Sequence, residues 1–211
     1  MMRRCVVALS VVAVAVVGAG CSGDSRPAPA AGESTGGLAA AESTGEALPH
    51  SGAPKVANPL PASVLDGGPC AALDAGQIAR ALGAAVAGRP VQEPTGPSCD
   101  WSNHETGGMI GVGFVTETHQ GLSGPYGNTK PKAVVWRELP PVQGFPAVAH
   151  VTPSGGPPDV FCAVSVGIAD DLSFDAAGFV SRERRGKVDP CDAVSQLADL
   201  VVTTLRRKAG E

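Results

Sequence analysis

The first hundred residues contain no aromatic side chain; all eight aromatics lie between Trp101 and Phe179. A packed core needs large apolar side chains, so this absence places the globular part in the later two-thirds of the chain. No apolar run reaches the ~20 residues that a membrane-spanning helix requires. Basic excess is missing too: 16 Lys and Arg stand against 20 Asp and Glu, net −4. That balance argues against nucleic acid as a partner and against charge-driven binding to anionic lipid. The chain has no P-loop, no dinucleotide fingerprint, no zincin His-Glu pair and no Cys-x-x-Cys, so no cofactor, metal or redox pair is expected.

A short export signal is present. Arg3 and Arg4 lead an apolar stretch, Cys5 to Val17, and the small residues Gly18, Ala19 and Gly20 precede Cys21. This is the pattern of a bacterial lipoprotein signal over residues 1–20, with Cys21 as the lipidated first residue of the mature protein. The third position before the cysteine is Gly18, where such signals more often carry Leu or Val. The competing readings are an ordinary secretory signal and an uncleaved anchor. Removing residues 1–20 leaves 14 basic and 20 acidic side chains, net −6. The expected location is the outer face of the cell membrane, held through lipid on Cys21.

Residues 21–67 are rich in Ala, Gly, Ser, Thr, Glu and Pro. Glu33-Ser34-Thr35-Gly36 recurs as Glu42-Ser43-Thr44-Gly45. Such a stretch buries too little apolar area to offset its ordering entropy and is expected to be a disordered tether spanning roughly 35–40 Å. Gly32-Glu33-Ser34-Thr35-Gly36 matches the Gly-x-Ser-x-Gly nucleophile pattern, but no strand precedes it and no helix follows, so it is read as a decoy.

Residues 68–208 are expected to form one α+β domain: a mostly antiparallel sheet with N- and C-terminal helices packed on one face. The first helix is predicted from about Ala75 to Leu82. Asp74 is its N-cap, Gln77 completes a capping box, Leu73 and Ile78 make a staple, and Gly83 is the stop. The second runs from about Pro190 to Lys208, with Asp189 as cap and Val194, Leu197, Ala198, Val201 and Leu205 at helical spacing. Arg206, Arg207 and Lys208 suit its C-terminal dipole. Strands are expected at Ser98–Asn103, Met109–Thr116, Ala133–Leu139, Val142–Val151, Val160–Ala169 and Leu172–Phe174.

With Cys5 cleaved and Cys21 alkylated, Cys70, Cys99, Cys162 and Cys191 remain. An even count in an exported domain points to two disulfides. Sequential pairing, Cys70–Cys99 and Cys162–Cys191, is favoured, each pair being 29 residues apart. The alternative joins Cys70 to Cys191 and Cys99 to Cys162. Structural zinc is disfavoured because its cysteines usually come in close pairs.

Pro69-Cys70 opening a helix that ends Ala81-Leu82-Gly83, then Ser98-Cys99-Asp100-Trp101, Phe161-Cys162-Ala163-Val164 and Pro190-Cys191-Asp192-Ala193-Val194 form a recognisable series. Together they resemble the actinobacterial lipoproteins grouped as domain of unknown function 3558. The resemblance implies an envelope-anchored protein, with a fold like the small α+β domains of the Mog1/PsbP type. The family has no established activity, so it supplies no catalytic or binding residue.

Few residues suggest chemistry. His104 and Glu105 sit in a turn, and Glu117 and His119 follow a strand; if adjacent strands met there, the four could gather at one sheet edge. Turns collect polar residues because they face water, which is the simpler reading. Trp101, beside a cysteine on a strand, is expected in the core. Trp136, between Arg137 and Glu138, is a speculative ligand contact together with His104 and His119. The expected function is a non-catalytic binding module that meets an envelope protein or small ligand. An apolar-ligand carrier and an envelope hydrolase or metalloenzyme are the alternatives.

Overall fold

The computed structural model describes residues 47–211. The expected signal, Cys21, the expected tether as far as residue 46 and the Gly-x-Ser-x-Gly decoy lie outside the described residues.

Helix α1, Ala75–Leu82, forms where its capping residues direct it. The Asp74 carboxylate accepts from the Gln77 N–H and the Gln77 side chain accepts from the Asp74 N–H, a complete capping box; Gly83 closes the helix at φ 80°. Helix α2, Pro190–Ala209, starts on Asp189, whose carboxylate accepts from the Cys191 and Asp192 N–H groups, and stops at Gly210. The stripe Val194, Leu197, Ala198, Val201, Leu205 is fully buried, and each large member contributes about 1.5–3 kcal/mol by leaving water.

Within the described residues one sheet holds seven strands: β1 (Arg89–Glu93), β2 (Gly96–Asn103), β3 (Gly108–Val115), β4 (Val135–Val142), β5 (Phe145–Val151), β6 (Phe161–Gly167) and β7 (Ser173–Phe179). Their order is β1-β2-β3-β7-β6-β5-β4, and every neighbouring pair is antiparallel. Alternation aims Ile110, Val112 and Phe114 of β3, Phe174 and Ala176 of β7, and Cys162, Val164 and Val166 of β6 at one face. Both helices cover that face. Gln77 joins them: its amide donates to the Leu200 carbonyl at 3.0 Å, and Thr204 Oγ1 donates to its Oε1 at 3.2 Å. The α+β architecture, with both helices on one face, is as expected.

The cysteines pair sequentially, Cys70 with Cys99 and Cys162 with Cys191. The first bond ties the short 3₁₀ turn Pro69–Ala71, just ahead of α1, to β2. The second ties β6 to the first turn of α2. Cys99 and Cys162 lie wholly buried on the helical side of the sheet, so each bond fastens the helical layer to the sheet. Trp101 is buried in the same layer.

Three sequence expectations need correction. The folded domain does not begin at 68: Val56, Leu60 and Val64 are buried in the core. The Leu60 N–H donates to the Ile168 carbonyl at 2.8 Å, and the Val56 N–H to Asp170 Oδ1 at 2.8 Å. Three aliphatics four residues apart suffice here because remote elements supply the surface they cover: Val56 and Leu60 lie by the end of β6, and the turn that carries Val64 packs on α2. Strand β1 was not anticipated; its side chains are mostly exposed, and β2 holds it in register. Strand β7 extends five residues beyond Phe174, through Asp175 and Gly178.

Candidate functional site

His104 and His119 do not come together. The β2–β3 turn carries His104 and Glu105 at one end of β3, while Glu117 and His119 follow its other end. The eight residues of β3 between them separate the pairs by roughly 25 Å at ~3.3 Å per residue. Both histidines are exposed. Trp136 sits on β4, four strand spacings from β3, or about 19 Å. Among the described residues no three of His, Cys, Asp and Glu converge as a metal site would need. No helix there is long and apolar enough to cross a membrane.

Trp136 is half-buried on the sheet face opposite the helices. Its ring meets Tyr126 edge-on at 5.1 Å between centroids and stacks on His150 at 6.2 Å. Lys130 Nζ lies 5.3 Å from its centroid and 3.2 Å from Glu138 Oε1. Burial, helped by Glu138, pushes the Tyr126 phenol up to about 12.

Beneath His150 lies a polar row that sequence reasoning missed. Ser165 of β6 pairs with Asp175 of β7, and His150 of β5, two residues beyond Ser165's partner Val148, reaches it diagonally on the same face. Ser165 Oγ donates to Asp175 Oδ1 at 2.6 Å and stands 3.1 Å from His150 Nε2. With its one proton spent on the carboxylate, the hydroxyl accepts from the imidazole. This inverts a hydrolase triad, in which the imidazole takes the serine proton; Ser165 is also wholly buried. The row satisfies polar groups inside the sheet face. Burial holds Asp175 above the usual carboxylate value of 3.8, opposed by Ser165 and His150; burial also holds His150 below 6.5, opposed by Asp175.

A raised carboxylate favours the fold below the unfolded value, and that contribution is lost as pH rises through the folded value. Asp175→Asn is therefore expected to gain stability relative to the native chain between pH 4 and pH 7. Urea unfolding of both proteins at the two pH values checks this; an unchanged difference would count against a protonation-linked Asp175.

A separate concavity lies on the helical side of the sheet. A half-open cleft of about 930 Å³ runs between the end of α1, the first half of α2, the start of β3 and the end of β7. Side chains from the helical face supply its floor: Leu82, Ile110, Val194 and Leu197. Gly178 lets α2 approach, since a Cβ there would lie 3.0 Å from the Met109 carbonyl and 3.4 Å from Val194.

One end of the cleft is knotted. Asn103 Nδ2 donates to the Leu82 carbonyl at 3.1 Å, and Arg182 Nη2 donates to the Glu105 carbonyl at 2.6 Å. These bonds gather the α1 terminus, the β2–β3 turn and the loop after β7. At the other end the two-residue turn Gln143–Gly144, with φ of 48° and 92°, has the positive dihedrals of a hairpin turn that matches strand twist. The Gln143 amide clamps α2 through Asp199 Oδ1 at 2.9 Å and Thr203 Oγ1 at 2.8 Å. Arg80 and Arg184 stand at the rim. Nothing local in the sequence joins these residues.

A single antiparallel sheet with one helical layer stapled to it by two disulfides, and an apolar-floored cleft along the second helix, defines a disulfide-stapled α+β domain. The chain matches the family described as Protein of unknown function (DUF3558) over residues 16–204 and belongs to it. No curated protein and no solved structure matches it.

Proposed function

We propose that this chain is a lipid-anchored, extracytoplasmic and non-catalytic binding module, and that the cleft along α2 is where it holds its ligand. The cleft carries the reading. Its volume lies in the ~300–1,000 Å³ range of small-molecule sites, and it combines an apolar floor with a few convergent polar groups. The lipoprotein pattern ending at Cys21 supports the location. The apolar-carrier alternative is favoured by the same floor, although the cleft opens to solvent rather than being sealed within the sheet.

The test uses residues 22–211 and an uncharged apolar dye, Nile red. Saturable binding is expected for the native chain. Ala193→Trp, which fills the cleft from α2, is expected to weaken it at least tenfold, about 1.4 kcal/mol. Leu200→Glu, at a half-buried lining position, should do the same by charge. Saturable binding that neither variant disturbs, or none at all, would remove the cleft as the site.

A further inference from the structure

Resting on the cleft as the binding site, we infer that its ligand is a single-chain amphiphile with an anionic head, the chain lying on the apolar floor and the head between Arg80 and Arg184. The observation behind this is the placement of charge. The loop after β7 reads Arg182-Glu183-Arg184-Arg185-Gly186-Lys187, all exposed: four cations within six residues of an acidic chain. Arg182 is occupied by the Glu105 carbonyl. Arg184 reaches the cleft from this loop and Arg80 reaches it from the last turn of α1. Neither makes an ion pair among the described residues.

Two acidic side chains also line the cleft, but they are separated: Asp199 lies at the clamped end, where Gln143 donates to its carboxylate, and Glu183 lies beside Arg184 in the loop. The charge is therefore polarised, with Arg80 and Arg184 outnumbering Glu183 where α1 ends and Asp199 standing at the far end. The form of the cleft also selects against an extended peptide. β3 and β7 pair with neighbours on both sides, and the edge strand β4 brings only Pro141, which has no N–H, and Val142 to the cleft, so little free strand edge is offered to a peptide backbone. A carboxylate or phosphate head between two guanidinium groups gains charge-assisted hydrogen bonds that a neutral head cannot make.

The experiment compares 11-(dansylamino)undecanoic acid with its methyl ester on residues 22–211, followed by dansyl fluorescence. The acid is expected to bind at least tenfold more tightly. Arg80→Gln with Arg184→Gln is expected to bring the acid down to the affinity of the ester while leaving the ester unchanged and the melting temperature within about 2 °C. The acid–ester contrast on the native chain tests the inference without any variant. Equal affinities would overturn the anionic head while leaving the cleft reading intact. Failure of both probes to saturate would overturn the cleft reading as well. Binding to vesicles of phosphatidylglycerol and phosphatidylcholine that the acid does not displace would assign the cations to a membrane surface and overturn the inference.

Discussion

Removing both disulfides is expected to leave the domain unfolded, or nearly so, at 37 °C. Each bond closes a loop of 29 residues, which in the chain-entropy model contributes about 3–4 kcal/mol. The two loops do not overlap in sequence, so their contributions add to roughly 7 kcal/mol. Whole domains are stable by only ~5–15 kcal/mol. For a chain of this size 1 kcal/mol moves the melting temperature by about 2–4 °C, so the paired variant Cys70→Ala, Cys99→Ala, Cys162→Ala, Cys191→Ala should melt roughly 15–25 °C lower. Circular dichroism melts of the native and variant chains measure this directly. Each single pair should show about half the drop, because Cys99 and Cys162 sit on different strands and hold different helices. A quadruple variant melting within a few degrees of the native chain would mean that the packed faces of α1 and α2 hold the helical layer unaided.

The parts legible in the sequence are those whose determinants are local. Helix α1 needs Asp74, Gln77 and Gly83, ten residues in all, and those residues act where the sequence places them. The same holds for Asp189 and Pro190 in α2 and for the alternation of β3 and β6. Strand β1 is different. Arg89, Pro90 and Glu93 have little strand preference, and Pro90 offers no N–H; the strand exists because β2 presents an edge to it. The second half of β7 is also dictated from outside. Asp175 disfavours a strand on its own, yet Ser165 satisfies its carboxylate; Gly178 is placed by the approach of Val194. Residues 47–67 read as tether because they lack aromatics, but Val56, Leu60 and Val64 need only a surface to cover, and that surface is remote in sequence. The candidate site is remote in the same sense. Arg80, Ile110, Arg184 and Val194 share no local pattern, and only the sheet order joins them. His150, Ser165 and Asp175 were equally scattered; their one local sign is a polar residue at an alternating position of an apolar strand.

Cys21→Ala is expected to abolish membrane attachment by lipid, and its outcome separates all three readings of the N-terminus. Two acyl chains of about 14 methylenes each, at ~0.8 kcal/mol per methylene, represent on the order of 20 kcal/mol of gross transfer energy, where a single chain holds only marginally. If the lipoprotein reading is right, native protein from intact cells has lost residues 1–20, carries the added mass of the acyl chains and partitions with detergent. The variant then keeps its full precursor mass without acyl chains, and globomycin likewise leaves the native chain at the precursor length. If residues 1–20 were an ordinary secretory signal, the native chain would carry no acyl mass, and variant and native alike would be cleaved and released. If they were an uncleaved anchor, both would keep their full length and neither would be acylated. Intact mass and detergent partitioning of the two proteins therefore decide among the three. Only the first outcome places the cleft on a domain fixed to the outer membrane face, within reach of the amphiphiles that its charge pattern selects.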